Sequence, residues 1–327
     1  MRVVYMGTPD FAVPALEALA AGGCDVRLAV TKPDAPSGRG KKLKSCPVKE
    51  KALELGIPVL SPERVKKNDE FFEAVKAAEP DIIIVAAYGK ILPKKILDIP
   101  RLGCVNIHGS LLPKYRGAAP IQRAVLAGEE EIGVTLMYMA EEMDAGDMIA
   151  KASVKAAGKT SAQVFGELSE LGAKLLMETL PAIEDGTAPR IPQDPALVSF
   201  APMVEKSEGL IDFGRSAREI VCHVLGMNSW PMAYTFLNGE MMKVHEAEAG
   251  RSFGQDAGQA AEGGAGSAQH AGRPAPGTVL AAGKGGIEVA CGDGSVLLKR
   301  IQMSGKKAMD VSAWLLRNKI EIGTVLG

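Results

Sequence analysis

The 327 residues carry 38 basic and 39 acidic side chains for a formal net charge of −1, and 46% of them are hydrophobic. That balance belongs to an ordinary globular chain long enough for two separately cored domains; it excludes a protein that coats nucleic acid by bulk positive charge, though not one with a local basic patch. Cys24, Cys46, Cys104, Cys222 and Cys291 form no CxxC pair and no His/Cys cluster at metal spacing, so no disulfide framework and no metal site are expected, and a reducing cytoplasm is the expected compartment.

The opening residues meet Pro9 and Asp10 too early for a signal peptide. No apolar run approaches the roughly 20 residues of a membrane span, so a soluble protein is expected. Residues 2–6 read as a strand stopped by Gly7-Thr8-Pro9-Asp10, after which Phe11, Val13, Leu16, Leu19 and Ala20 recur at helical spacing. The turn is not a GxGxxG, which removes support for a dinucleotide or P-loop site. Residues 25–31 alternate as a second strand. Residues 32–47 form a long loop rich in Pro and Gly, in which Arg39, Lys41, Lys42 and Lys44 crowd together. Loops of that length inside compact domains are functional or disordered, and the basic run is either a solvated face or an arm for phosphates.

Residues 48–55 and 69–78 read as helices and 57–60 as a strand. Residues 81–87 are apolar after Asp81, as a strand buried on both faces of a parallel sheet would be. Its exit turn carries Tyr88, Gly89 and Ile91, a candidate pocket wall, because ligands of open α/β sheets sit outside the carboxyl ends of the strands. The next strand runs into Asn106-Ile107-His108-Gly109-Ser110-Leu111-Leu112-Pro113. Its period of two sends the Asn106 amide and the His108 imidazole to one face, where both can bond one reacting oxygen.

A helix over 118–127, strands over 133–139 and 148–154 and a long amphipathic helix over 161–183 complete a first domain spanning 1–188. Prolines 189, 192, 195 and 202 mark an extended linker over 189–206. In 207–327, short strands over 210–213, 233–237, 241–246, 277–280, 286–291 and 295–301 accompany helices over 216–224 and 311–317. That pattern points to a small OB-like β-barrel. Residues 250–275 are low-complexity sequence with little to bury and are expected to form a disordered insertion without chemistry.

Four histidines are present, at 108, 223, 245 and 270. His270 falls in the low-complexity stretch, and packed or surface roles suit His223 and His245. His108 is the exception. A carboxylate beside it would hold its charge and fix its tautomer. Asp144, followed by Ala145-Gly146, heads the candidates, while Asp147, Glu141 and Glu142 compete, and the residues alone do not choose among them. An amide, a histidine and a carboxylate without a Ser or Cys nucleophile suit direct acyl transfer between two bound substrates.

Together, Gly7-Thr8-Pro9-Asp10-Phe11, Gly38-Arg39-Gly40-Lys41-Lys42-Leu43, the Asn106 to Pro113 stretch, Arg116-Gly117-Ala118-Ala119-Pro120, Asp144-Ala145-Gly146-Asp147, Trp230-Pro231-Met232 and Gly305-Lys306-Lys307-Ala308 closely resemble the 10-formyltetrahydrofolate-dependent formyltransferases over nearly the whole chain. Within that family the set is similar to the branch whose acceptor is the α-amine of methionine on initiator tRNA. The resemblance implies a Rossmann-like domain with a mostly parallel, doubly wound sheet, joined to an OB-like domain. It implies a catalytic trio of Asn106, His108 and Asp144, and a donor site for 10-formyltetrahydrofolate that includes Ser110, Leu111, Leu112 and Pro113. It further implies that the loop of Arg39, Lys41, Lys42 and Lys44 grips the acceptor arm of the tRNA, that the product N-formylmethionyl-tRNA serves translation initiation, and that no metal takes part; a monomer is the default. Formyltransferases for amino sugar nucleotides or glycinamide ribonucleotide and folate-dependent hydrolases are the neighbouring readings, and a non-catalytic RNA-binding module is the reading from another class.

Overall fold

The computed structural model describes residues 1–37, 42–253 and 273–327. They divide into two compact units: Met1–Arg123 with Glu130–Ala156 and Gln163–Met203, and Val204–Gly327 with Ala124–Glu129 and Ala157–Ala162.

Along the chain run β1 (Arg2–Gly7), α1 (Val13–Ala21), β2 (Asp25–Val30), β3 (Ala35–Ser37), β4 (Lys42–Lys44), α2 (Pro47–Glu54), β5 (Val59–Leu60), α3 (Asp69–Ala77), β6 (Ile82–Ala86), α4 (Lys94–Leu97), β7 (Cys104–His108), α5 (Pro120–Leu126), β8 (Glu131–Tyr138), β9 (Met148–Lys155) and α6 (Ser161–Glu184). A seven-stranded sheet takes the order β5-β2-β1-β6-β7-β8-β9. The strands from β5 to β7 are parallel, and β8 and β9 run antiparallel to their neighbours. Every β8 residue after Glu131 is buried, a pattern that a parallel strand gives equally well, so burial alone could not reveal its direction. The stretch expected to be a long loop over 32–47 holds a short antiparallel hairpin of β3 and β4, with Pro36 opposite Leu43.

Alternation divides each central strand between the two faces of the sheet. Val4, Met6, Ile83, Val85 and Cys104 pack with Phe71 and Val75 of α3 and Ile96 of α4 in one apolar core. Asn106 and His108 continue the Cys104 face of β7 beyond that core. On the opposite face α6 comes very close: a Cβ on Gly172 would lie 2.8 Å from Ile107 Cγ2. Only glycine lets the helix approach there.

Asp81 joins the starts of β1 and β6. Its carboxylate accepts from the Arg2 backbone N–H at 2.8 Å, from the Arg2 guanidinium at 3.3 and 3.4 Å, and from Arg101 Nε at 3.1 Å. Hydrogen bonds from the Arg2 side chain and backbone hold this carboxyl well below the usual carboxylate range. A depressed folded-state value stabilises the fold above the unfolded carboxyl value of about 3.9, and that contribution is lost as pH falls through the folded value. Asp81→Asn is therefore expected to lower the urea midpoint at neutral pH, and the gap from wild type should narrow as the pH is taken below about 4. A gap that does not change with pH would remove this ion-pair account.

The second unit contains α7 (Ala217–Met227), β10 (Ala233–Leu237), β11 (Glu240–Ser252), β12 (Val279–Gly283), β13 (Gly286–Ala290), β14 (Gly294–Met303), β15 (Met309–Asp310) and α8 (Val311–Trp314). Its six-stranded sheet follows the order β10-β11-β14-β13-β12, with β15 on β14, and all its pairings are antiparallel. Ser216 and Glu219 form a capping box that starts α7. Asn238 and Gly239, both at positive φ, make the tight β10–β11 turn. Bulges along β11 bend it where it pairs with β14.

Two expectations need correction here, and one strand pairing is new. Residues 210–213 make no strand: Leu210 forms one bridge to Tyr234, and the Asp212 side chain accepts from the Gly214 N–H in a turn. The pair β14–β15 was not anticipated. Residues 250–252, placed in the insertion, are the end of β11, where Ser252 pairs with Gly294 of β14; 254–272 and His270 lie outside the described residues. His223 bonds the Glu208 carbonyl at 2.8 Å, and burial pushes its pKa down.

Candidate active site

β7 delivers Asn106 and His108 to the carboxyl end of the parallel strands. His108 is 5% exposed, and its Nε2 bonds the Tyr115 carbonyl at 3.0 Å. Its Nδ1 faces Asp144 Oδ2 at 3.6 Å. Both ring nitrogens thus face oxygens that only accept. Asn106 is half-buried on the same face, and its side-chain amide has no hydrogen-bond partner among the described residues.

Asp144 reaches His108 by an indirect path. β8 runs antiparallel to β7 with Tyr138 opposite Val105 and Thr135 opposite His108, so the following loop leaves the sheet beside the start of β7 and folds back. Gly146 permits that return, since a Cβ there would lie 1.8 Å from the Tyr138 carbonyl oxygen. Asp144 itself adopts φ 53°, and the Gly117 N–H donates to its Oδ2 at 2.9 Å. The three competing acids point elsewhere: Asp147 lies 4.0 Å from Arg190, Glu142 lies 3.5 Å from Arg116, and Glu141 is exposed.

The segment after His108 is held from within. Ser110 Oγ donates to the Lys114 carbonyl at 2.7 Å, Thr135 Oγ1 donates to the Ser110 carbonyl at 2.7 Å, and the Leu112 N–H donates to Thr135 Oγ1 at 3.1 Å. Lys151 Nζ caps the Leu112 carbonyl, and burial lowers its pKa. Leu112 is buried with Met137 and Met148. Ser110, Leu112 and Pro113 therefore offer a ligand shape and backbone, while half-buried Leu111 offers an apolar side chain. In the turn after β6, Tyr88 is buried, its hydroxyl has no partner among the described residues, and burial pushes its pKa up to about 12. Gly89 bends at φ 72° with Lys32 Nζ beside it, and Ile91 is 55% exposed.

Of the basic loop, Arg39 and Lys41 lie outside the described residues, Lys42 lies on β4, and Lys44 is exposed. Leu43 between them is 72% exposed. Among the described residues no group of three or more His, Cys, Asp or Glu could hold a metal ion, and no helix is long and apolar enough to cross a membrane.

Sequence reasoning missed Gly117 and Gln193. Residues 189–206 read as a linker, yet most of that stretch belongs to the first unit. Ile191 exchanges backbone hydrogen bonds with Met148 at 2.8 and 3.0 Å, and 199–201 pair with Arg116 at 2.7 and 2.8 Å. A single glutamine among prolines carries no periodic signal that could have marked it.

A family model described as formyl transferase matches residues 1–180, and one described as formyl transferase, C-terminal domain, matches 203–319. Methionyl-tRNA formyltransferase of Desulfotalea psychrophila is 46% identical over 327 residues, covering all of this chain and 95% of that protein. Its counterpart in Acetivibrio thermocellus is 43% identical over 332 residues, covering both chains in full. The crystal structure of an N-formyltransferase from Helicobacter canadensis, in complex with folinic acid and dTDP-3-aminofucose, superposes with a TM-score of 0.64 at 16% identity, covering 93% of this chain and 99% of that one. At that identity the likeness concerns the fold. With both halves matched and the full length aligned to close relatives, the chain belongs to the methionyl-tRNA formyltransferase family.

Proposed function

We propose that the protein transfers the formyl group of 10-formyltetrahydrofolate to the α-amine of methionine on initiator tRNA, giving N-formylmethionyl-tRNA. The observation that carries this reading is the meeting of His108 with Asp144 at 3.6 Å, beside an Asn106 amide that has no partner among the described residues, in a chain of this family. The folate donor is a substrate. Leu111 and Ile91 give its ring system apolar surface, and Ser110, Leu112, Pro113, Tyr88 and Gly89 give the wall its shape.

In the reaction the amine attacks the formyl carbon, a C–N bond forms, and the carbonyl oxygen takes up negative charge. Asn106 donates an amide N–H to that oxyanion. His108 donates a ring N–H: exchanging the neutral Tyr115 carbonyl for an anion strengthens that bond. Each such donor contributes about 2.7–4 kcal/mol to the transition state. Collapse breaks the bond from the formyl carbon to N10, and the proton lost by the amine ends on N10. Asp144 keeps the imidazole charged and oriented through the step. Incubating the protein with donor and methionyl-tRNA and identifying the amino acid released from the tRNA tests the reading. N-formylmethionine is expected, and unmodified methionine would overturn it.

The basic loop serves the acceptor. Neutralising Arg39, Lys41 and Lys42 together is expected to weaken tRNA binding and to flatten the dependence of log Kd on log salt, because each lost phosphate contact releases fewer counterions. An unchanged slope would return the run to a solvated face.

A further inference from the structure

We infer that Gln193 is a positioning residue for formyl transfer, holding the Asp144 turn so that its carboxylate aims at His108. The inference rests on the function proposed above. Gln193 Nε2 donates to the Asp144 carbonyl at 2.8 Å and to the Gly146 carbonyl at 2.9 Å, clamping both sides of Ala145. Its Oε1 accepts from Arg116 Nε at 3.0 Å and Nη2 at 2.8 Å. Both donors and both acceptor sites of the amide are used. Arg116 is 7% exposed, and its planar fork fixes which end of the amide faces the turn.

The turn needs such a clamp. Asp144 sits at φ 53°, a backbone conformation that residues with a side chain rarely adopt, and its loop has folded back from the far end of β7. Gln193 is itself well anchored. The Ile191–Met148 exchange lies before it, the 199–201 pairing with Arg116 lies after it, and Asp194 accepts from the Ala196 N–H beside it. One residue thus connects two fixed points of backbone to the carboxylate-bearing turn. Among the described residues its side-chain hydrogen bonds go to Arg116, Asp144 and Gly146 and none goes to His108, so its effect passes through Asp144.

Gln193→Glu separates the two halves of this contact. The carboxylate keeps Arg116, but it presents acceptors to two carbonyl oxygens and pushes the turn away. With donor and methionyl initiator tRNA, Q193E is expected to lower kcat about 10- to 100-fold, as displaced support for a reacting group does. KM for both substrates should stay within about twofold, and the pH profile of kcat should shift. In a D144N background Q193E should cost nothing further, because the group it positions has lost its charge. A wild-type kcat in Q193E, a change confined to KM, or losses that multiply in the double variant would overturn the inference. Gln193→Met, which drops all four bonds without adding charge, is read by the same criteria should Q193E fail to fold. Wild-type protein inactive toward methionyl-tRNA would instead count against the proposed function.

Discussion

Replacing His108 with alanine is expected to lower kcat by about a thousandfold, the upper end of what loss of one oxyanion donor costs, while KM for the folate donor stays within about threefold. The split follows from position. His108 is buried against Tyr115 and Asp144 and continues the Cys104 face of β7, whereas the surface proposed for the donor's ring system is that of Leu111 and Ile91. Removing the imidazole takes away a bond that strengthens only as the oxyanion forms, and a bond of that kind appears in kcat. Its Tyr115 and Asp144 contacts also go, so the melting temperature should be recorded with the rates. A kcat near wild type would remove His108 from the chemistry.

Asp144→Asn is expected to lower kcat by on the order of 10³- to 10⁴-fold, as when a carboxylate that orients a catalytic histidine is made neutral. The variant keeps the shape of the side chain and an oxygen for the Gly117 N–H. It loses the charge that faces His108 Nδ1. Because Gly146 and Gln193 hold the backbone of the turn independently of that charge, stability should change little. Steady-state rates at several pH values, with a urea melt alongside, check both halves of the expectation. A loss of stability equal to the loss of activity would make Asp144 a structural residue.

Much of this site could be read from residue spacing. Asn106 and His108 stand two apart in an apolar run, and alternation places them on one face in any sheet; Gly109, Ser110 and Pro113 end the strand wherever it lies. The direction of β8 was not legible, because a strand buried on both faces has the same composition whichever way it runs. Asp144 was named among four acids, and its approach to His108 depends on a loop that folds back from the wrong end of β7. Only tertiary placement decides that. The Gly146 requirement is likewise a contact with a distant carbonyl, that of Tyr138. Gln193 was hidden for a different reason: the prolines around it are the signature of an extended segment, and such a segment looks the same in sequence whether it bridges two domains or lies along one. In the second unit, short strands and glycine turns made the antiparallel class legible. The two-residue β15 carries too little pattern to be read.

The most direct test is a side-by-side measurement of kcat/KM for formyl transfer from 10-formyltetrahydrofolate to methionyl initiator tRNA, methionyl elongator tRNA and a dTDP-linked amino sugar. Methionyl initiator tRNA is expected to be preferred by orders of magnitude over both others. Equal or faster transfer to the amino sugar, or no transfer to either tRNA, would contradict it.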